Sequence, residues 1–456
     1  MKFEILTDKM ELAKKHIKQF CDTWVIKGII KSENQIRFSE NNIDINKNWD
    51  DIRLILFLSN KRRTTEISIN NLSPNVIENT LNYCEKLLNV AEINRYYKRL
   101  PEGTLKYDTS IQSKIFDDRV VNLGEKAVDL VERATEVSIT QGAKRVAGSF
   151  FFGNTHFFLE TSTGIEQKFK RTHLNFRIRA FAEDMYATGE ALSCSTHLEK
   201  DFNAIGAGEE AGKICKMAVG GKKGEPGIYN IIIYPKVSTE LQAPTPSLAM
   251  NTYIKKMGLS WLVGKRVGDK IASENISAWD DGTIEYGLAS SPFDDECAPT
   301  KKTLLINKGI LNQFFTNTSL ARKSQESTGN AGITMPRPSN TVFAAGDHTL
   351  EELMEISEKP TLLITSTWYT RYQSFAPPGV LSSLPKDGMF LVKNRGKILE
   401  PVRELRINSN HYHMLEHTIG LGKELKQVST WLSTMGNPVF APFMLIEDIR
   451  LTTGTK

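Results

Sequence analysis

The sequence predicts an α+β fold in two parts, and three observations carry that prediction. Apolar residues recur at helical spacing in a few separated segments of the first half. A strict two-residue alternation runs through THLNFRIRAFA, residues 172–182, as expected of a half-buried antiparallel strand. The second half is dominated by short apolar runs that end at Gly or Pro. Between the halves lies VGGKKGEPG, residues 219–227, with the composition of a linker. The expected parts are therefore an N-terminal α+β domain of helices and antiparallel sheet (1–218), the linker, and a strand-rich C-terminal domain with a few helices (228–456). With 456 residues, 40% of them hydrophobic, the chain is long enough for two cores.

In order, residues 9–20 predict a short helix with Leu12, Ala13 and Ile17 on one side and His16 on the surface. Strands are expected around Gln35–Ile45, Ile52–Leu58 and TTEISI. Ser73-Pro74 opens a helix whose apolar positions are Ile77, Leu81, Cys84 and Leu88. Another helix spans about Arg119–Glu136 through Val120, Leu123, Ala127, Leu130 and Ala134. In the alternating strand, Leu174, Phe176, Ile178 and Ala180 point inward, leaving Asn175, Arg177 and Arg179 outside, the arginines for a solvated sheet face rather than an anion site. Thr163-Gly164 forms the turn before it. Residues 201–218 return to a helix, and Gly206, Gly208 and Gly212 imply a neighbouring backbone packed close against it. The linker lacks a GK[ST] ending and opens no helix, which excludes a phosphate loop.

Beyond the linker, IYNIIIYP is a fully buried strand ended by Pro235. TLLINKGIL and MFLVKNRGKIL are hairpins, PTLLITST and FMLIEDIRL are further strands, and helices are expected near 246–257, 349–357 and 410–426. The first of these helices begins at Pro246, carries Met250, Ile254 and Met257 on one face, and stops at Gly258.

A net charge of +5 is mild for this length, and no basic arm is present, so nucleic acid is not demanded as a partner. Five scattered cysteines without a CxxC suit a reducing compartment and argue against a disulfide framework. No run resembles a signal peptide or a membrane span. The expectation is a soluble cytoplasmic protein.

Several residue groups could carry chemistry. Asp280-Asp281 and Asp294-Asp295-Glu296 could hold a metal, cap helices, or end strands at water. His413-Met414-Leu415-Glu416-His417 fits H-x-x-E-H, with His413 and His417 one helical turn apart and His411 or Glu424 as a third ligand; an independent metal-dependent hydrolase would use this set. Cys297 follows three acidic residues, which raise a thiol pKa and oppose a nucleophilic role. Trp368, Tyr369, Arg371, Tyr372 and Phe375 suit core or interface packing, a peptide groove, or stacking on single-stranded nucleic acid.

Five pieces, in order, resemble one family: SWLVGKRVGDKIAS (260–273), WDDGT (279–283), SSPFDDE (290–296), TLLINKGIL (303–311) and STGNA (327–331). They are similar to the TldD/PmbA family, also labelled modulator of DNA gyrase. The resemblance implies a dimer enclosing a cavity, in which a zinc-bearing TldD-type subunit pairs with a PmbA/TldE-type subunit to cleave unfolded peptides. It also implies that substrate lies extended along an exposed sheet edge. TldD-type members carry HExxxH on a helix after the buried strand, and a late cysteine ligand. Here the corresponding metal positions fall near Pro244, Thr245 and Ala249, and the last cysteine is Cys297, where the family usually has glycine. The resemblance is thus to the PmbA/TldE-type subunit, with no catalytic, metal or cofactor residue assigned to this chain. Its implied partner is a TldD-like, HExxxH-bearing zinc peptidase subunit, with a homodimer as the other pairing. A gyrase- or nucleic-acid-interacting module is the remaining alternative, suggested by the family label.

Overall fold

The computed structural model describes residues 2–184, 186–321, 326–430 and 437–453. Helices and sheets are mixed as the sequence predicts, with a helix-and-antiparallel-sheet N-terminal region and a strand-rich C-terminal region.

Six antiparallel strands form the N-terminal sheet, ordered Arg63–Ile69, Asn42–Asn60, Thr23–Ser39, Arg145–Thr161, Glu166–Phe181 and Thr188–Ser195. The strand expected over Gln35–Ile45 is in fact two strands. Glu40 and Asn41 both adopt positive φ (46° and 68°) and close a tight turn between them. The helix Lys2–Ile17 starts earlier than predicted and buries Leu6, Met10, Ala13 and Ile17. Beside it, Pro74–Val90 buries the four predicted residues, Ile77, Leu81, Cys84 and Leu88. Both helices cover Ile26, Ile30, Leu54 and Leu56 on one sheet face.

The helix expected over Arg119–Glu136 is broken. Asp118–Val121 is one turn, Gly124 follows with φ 52°, and Lys126–Thr140 resumes. This second piece packs against Ala204–Met217 at the close approach that the glycines predicted. A Cβ on Gly208 would lie 2.2 Å from the Ala134 carbonyl oxygen, and one on Gly212 would lie 2.5 Å from that of Ser138.

The opposite sheet face is only partly solvated, and here the prediction for the arginines is corrected. Arg177 pairs with Glu190, and Arg179 with Asp387 of the C-terminal half at 2.7 Å. Lys27 reaches Asp295 at 2.5 Å, and Arg171 donates to the Ser290 carbonyl at 3.0 Å. Alternation fixed which side chains leave the core, but Lys27 and Arg179 then reach carboxylates of the other half of the chain, and Arg177 one on its own sheet.

In the C-terminal half, Gly227–Ile233 sits inside a ten-stranded mixed sheet, parallel to Thr361–Ile364 and antiparallel to Met444–Thr453. Ile231, Ile232 and Ile233 are wholly buried, as a run apolar on both faces requires. A second, six-stranded sheet holds Ala278–Asp281, Lys302–Asn307 and Thr341–Phe343 among its strands. The linker is partly structured, because Lys222 and Lys223 form a short parallel pairing with Val402 and Arg403. The helix expected over 410–426 is only His411–Glu416, followed by the strands Thr418–Leu421 and Lys426–Val428. Among the described residues, no helix is long and apolar enough to cross a membrane.

Candidate functional site

The buried strand Gly227–Ile233 delivers the chain into the helix Pro235–Leu241, with Pro235 in its first turn. Every residue from Pro235 to Met250 is buried, including Lys236, Glu240 and Gln242. Buried polar groups need partners, and these find them in three directions.

Lys236 donates to Glu190 and, at 2.6 Å, to Ser366 Oγ, which in turn donates to Glu190 at 3.0 Å. The Lys236–Ser366 pair has the composition of a serine–lysine dyad. However, burial raises the Glu190 carboxyl while the Lys236 and Arg177 charges lower it, and the two cations win, holding it below the usual range. Burial lowers Lys236, with Glu190 opposing, but Ser366 is fully buried and its hydroxyl is spent on Glu190, so no substrate reaches the pair. The group is a structural clamp between the halves. It floors a cavity of about 470 Å³ that is also lined by Ser193, Tyr234, Gln427 and Phe440.

Glu240 ties the helix to the edge of the ten-stranded sheet. Its carboxyl accepts from Thr370 Oγ1, and its carbonyl accepts from the Tyr372 hydroxyl at 2.9 Å. Burial pushes the Glu240 carboxyl up, with the hydroxyls of Thr370 and Thr367 opposing. Both threonines belong to Thr367–Tyr372, the outermost strand, which pairs only with Val380–Pro385 among the described residues. Trp368 and Tyr369 on that strand are 52% and 55% exposed, so core packing does not account for them. Lys386 lies over the Trp368 ring, 4.9 Å from its centroid.

The third direction concerns the stretch where the metal helix was expected. The single helix 246–257 is replaced by a wide turn, Thr245–Ala249, and a short helix, Thr252–Lys256, capped by Asn251. Gly258 follows with φ 75°. Thr245 and Ala249 are wholly buried beneath Trp261, whose indole N–H donates to Thr245 Oγ1 at 3.2 Å. Proline and alanine side chains have no ligand atom, and the one threonine hydroxyl is committed to the indole. These residues do not fit a zinc ion.

Trp261 also stacks on His411, with centroids 4.0 Å apart and planes 8° from parallel, and Tyr372 flanks the far side at 5.7 Å. Burial drives the His411 imidazole down to about 3, with the Leu241 backbone opposing. The ring is therefore neutral when folded. Below the ordinary value of 6.5 the unfolded chain takes up a proton that the native ring refuses, so this contribution to stability is lost as pH falls from 6.5 toward 3. His411→Phe keeps the stack and removes the titrating ring at the cost of at most its contact with the Leu241 backbone. Urea midpoints measured between pH 7 and pH 4 should fall less steeply in this variant than in wild type.

His413, Glu416 and His417 do not assemble a three-ligand centre with His411. His413 and His417 stack on each other at 3.8 Å, His413 Nε2 bonds the Asp448 carbonyl at 2.9 Å, and His417 Nδ1 bonds the His413 carbonyl at 3.1 Å. Among the described residues, no three His, Cys, Asp or Glu side chains converge as metal ligands. Glu424 lies apart, in the bend after Thr418–Leu421.

The acidic clusters are loop clamps. Asp280 accepts from Asn330 Nδ2, the Ser339 amide and Ser339 Oγ at 2.6–2.8 Å. Asp294 accepts the amides of Glu296, Ala298 and Ala331 at 2.8–2.9 Å. Cys297 is buried with its thiol pushed up by burial and by the adjacent carboxylates, and its φ is 63°. A left-handed backbone is what a glycine would supply at this position.

Sequence reasoning missed Lys236, Glu240, Gln242 and Glu190, because charged residues read singly are assigned to the surface. The signal available was position: they directly follow, or lie opposite, a strand buried on both faces.

A family model described as the PmbA/TldA metallopeptidase C-terminal domain matches residues 226–453. The chain is 36% identical over 104 residues to Metalloprotease MJ0996 of Methanocaldococcus jannaschii, covering 22% of this chain and 23% of that protein. It is 21% identical over 435 residues to the Metalloprotease PmbA homolog of Buchnera aphidicola, covering 90% of each. The first curated relatives it matches are spanned over only 23–37% of their own length. In fold, it is similar to a Thermotoga maritima protein described as a modulator of a DNA gyrase (TM-score 0.82, 20% identity, 99% of this chain and 100% of that one). It is likewise similar to TldE from Thermococcus kodakarensis (TM-score 0.79, 18% identity, 97% and 100%). With half its length inside the family model, and with the architecture and motif order described above, this chain belongs to the PmbA/TldD metallopeptidase family.

Proposed function

We propose that this chain is the subunit without zinc ligands in a two-chain cytoplasmic metallopeptidase, and that it holds unfolded peptide for an HExxxH-bearing partner. The observation that carries the reading is the chemistry of the buried residues Pro244, Thr245 and Ala249, with the one hydroxyl bonded to the Trp261 indole, where the family's metal helix would be. The outermost strand supports the peptide-holding part. Among the described residues its outer edge pairs with no other strand, an arrangement that can add a strand irrespective of sequence, and Trp368 and Tyr369 offer apolar surface beside it. All five cysteines are free, in keeping with a reducing compartment.

The pure chain should leave an unfolded casein-type substrate intact, and cleavage should begin when an HExxxH-bearing relative is added. Hydrolysis by the pure chain, unchanged in a mixture, would overturn the proposal. If that activity were then abolished by His413→Ala, the independent hydrolase would take its place.

A further inference from the structure

We propose that the seam between the two halves contains a binding site for a small oxyanion, a phosphate or carboxylate group, held by Lys27, Arg171 and Arg337. These cations line one cavity of about 60 Å³, with Asp294 and Asp295 as its only acids among the described residues. About 10–15 Å³ of such space admits one water, so the cavity has room for roughly four or five water-sized atoms, the size of such an anion.

The charges do not balance. Asp295 is bound to Lys27 at 2.5 Å, and both oxygens of Asp294 are occupied by backbone amides. Among the described residues, neither Arg171 nor Arg337 forms an ion pair with a carboxylate, and the one hydrogen bond that Arg171 makes is to the Ser290 carbonyl. Burial disfavours the protonated form of Arg171, the nearby charge of Arg337 adds to this, and Asp295 opposes both. Yet Arg171 retains accessible surface, and it lines this cavity. Three cations, Lys27, Arg171 and Arg337, thus face one cavity with Asp295 as the carboxylate nearest to them, an excess of positive charge that an anion would balance.

A second observation narrows the ligand. Asn330, on the same wall, is 3% exposed, and its Oδ1 has no hydrogen-bond partner. Its amide nitrogen is fixed the other way by Asp280 and the Arg337 carbonyl, so the free atom is the acceptor. An oxyanion carrying its own donor satisfies both features: hydrogenphosphate through its O–H, or a peptide terminus through the N–H next to its carboxylate.

The test titrates the intact protein with inorganic phosphate, and separately with N-acetylglycine and N-acetylglycinamide, by calorimetry at constant ionic strength. Saturable one-to-one binding of phosphate or N-acetylglycine, but not of the amide, is expected, and whichever binds identifies the source. Arg337 is exposed at the mouth, so Arg337→Gln should fold normally, shown by an unchanged unfolding midpoint without ligand, and bind at least fivefold more weakly. Arg171→Gln should abolish binding. Absence of saturable binding by wild type, or equal affinity in Arg337→Gln, would overturn the site.

Discussion

Glu190→Gln is expected to destabilise the protein by about 3–5 kcal/mol, the loss typical when one partner of a buried ion pair is removed and the other stays. Lys236 would then be left nearly buried, with Ser366 and a neutral carboxamide as neighbours and no counter-charge in contact. Arg177 is nearer to water and would suffer less. Urea unfolding followed by circular dichroism measures the loss. Adding Lys236→Met to the same chain should recover much of it, because the stranded charge goes too. A double variant no more stable than Glu190→Gln would show that the cost arises elsewhere in the seam.

Trp261→Ala should cost a similar amount, about 3–5 kcal/mol, as for other large aromatic truncations in a core. The indole is wholly buried, covers Thr245 and Ala249, and forms one side of the His411 stack. Its removal opens a cavity where the family's metal helix would lie. Water entering there would relieve the desolvation of His411, raising its pKa from about 3 toward the ordinary value of 6.5. The variant should therefore show both a lower urea midpoint and an imidazole resonance that titrates in a range where the wild-type ring is silent. A lower midpoint with no change in titration would mean that neighbouring side chains collapse into the space.

Period and punctuation made much of the fold legible. Ile77, Leu81, Cys84 and Leu88 lie on the buried face that their spacing predicts, and Gly208 and Gly212 mark a helix-to-helix approach too close for any side chain. Turns built without glycine were harder to read. Glu40 and Asn41 adopt the left-handed conformation with only the tolerance of asparagine to signal it. The segment after His411 has helical apolar spacing, but sheet pairing with Met444–Thr453 overrides that local preference from Thr418 onward. Arg177 and Arg179 were assigned to the correct face without the carboxylates they pair with, since alternation says which way a side chain points and nothing about what it meets. For the candidate site, the sequence disclosed the residues that cannot ligate metal. It did not disclose the Glu190–Lys236–Ser366 clamp, whose members lie far apart in the chain.

The short pairing of Lys222 and Lys223 with Val402 and Arg403 has a consequence for how this molecule could be dissected. A junction so rich in glycine invites use as a cutting point for exchanging halves between relatives. Here the joint is stitched into a sheet, and the Leu405 side chain fills the space that a Cβ on Gly224 would need. A graft made there would inherit mismatched charges at Lys27, Arg179 and Glu190 on one side and Asp295, Asp387 and Lys236 on the other. Neither half is a portable module, and chimaeras need their seams redesigned together.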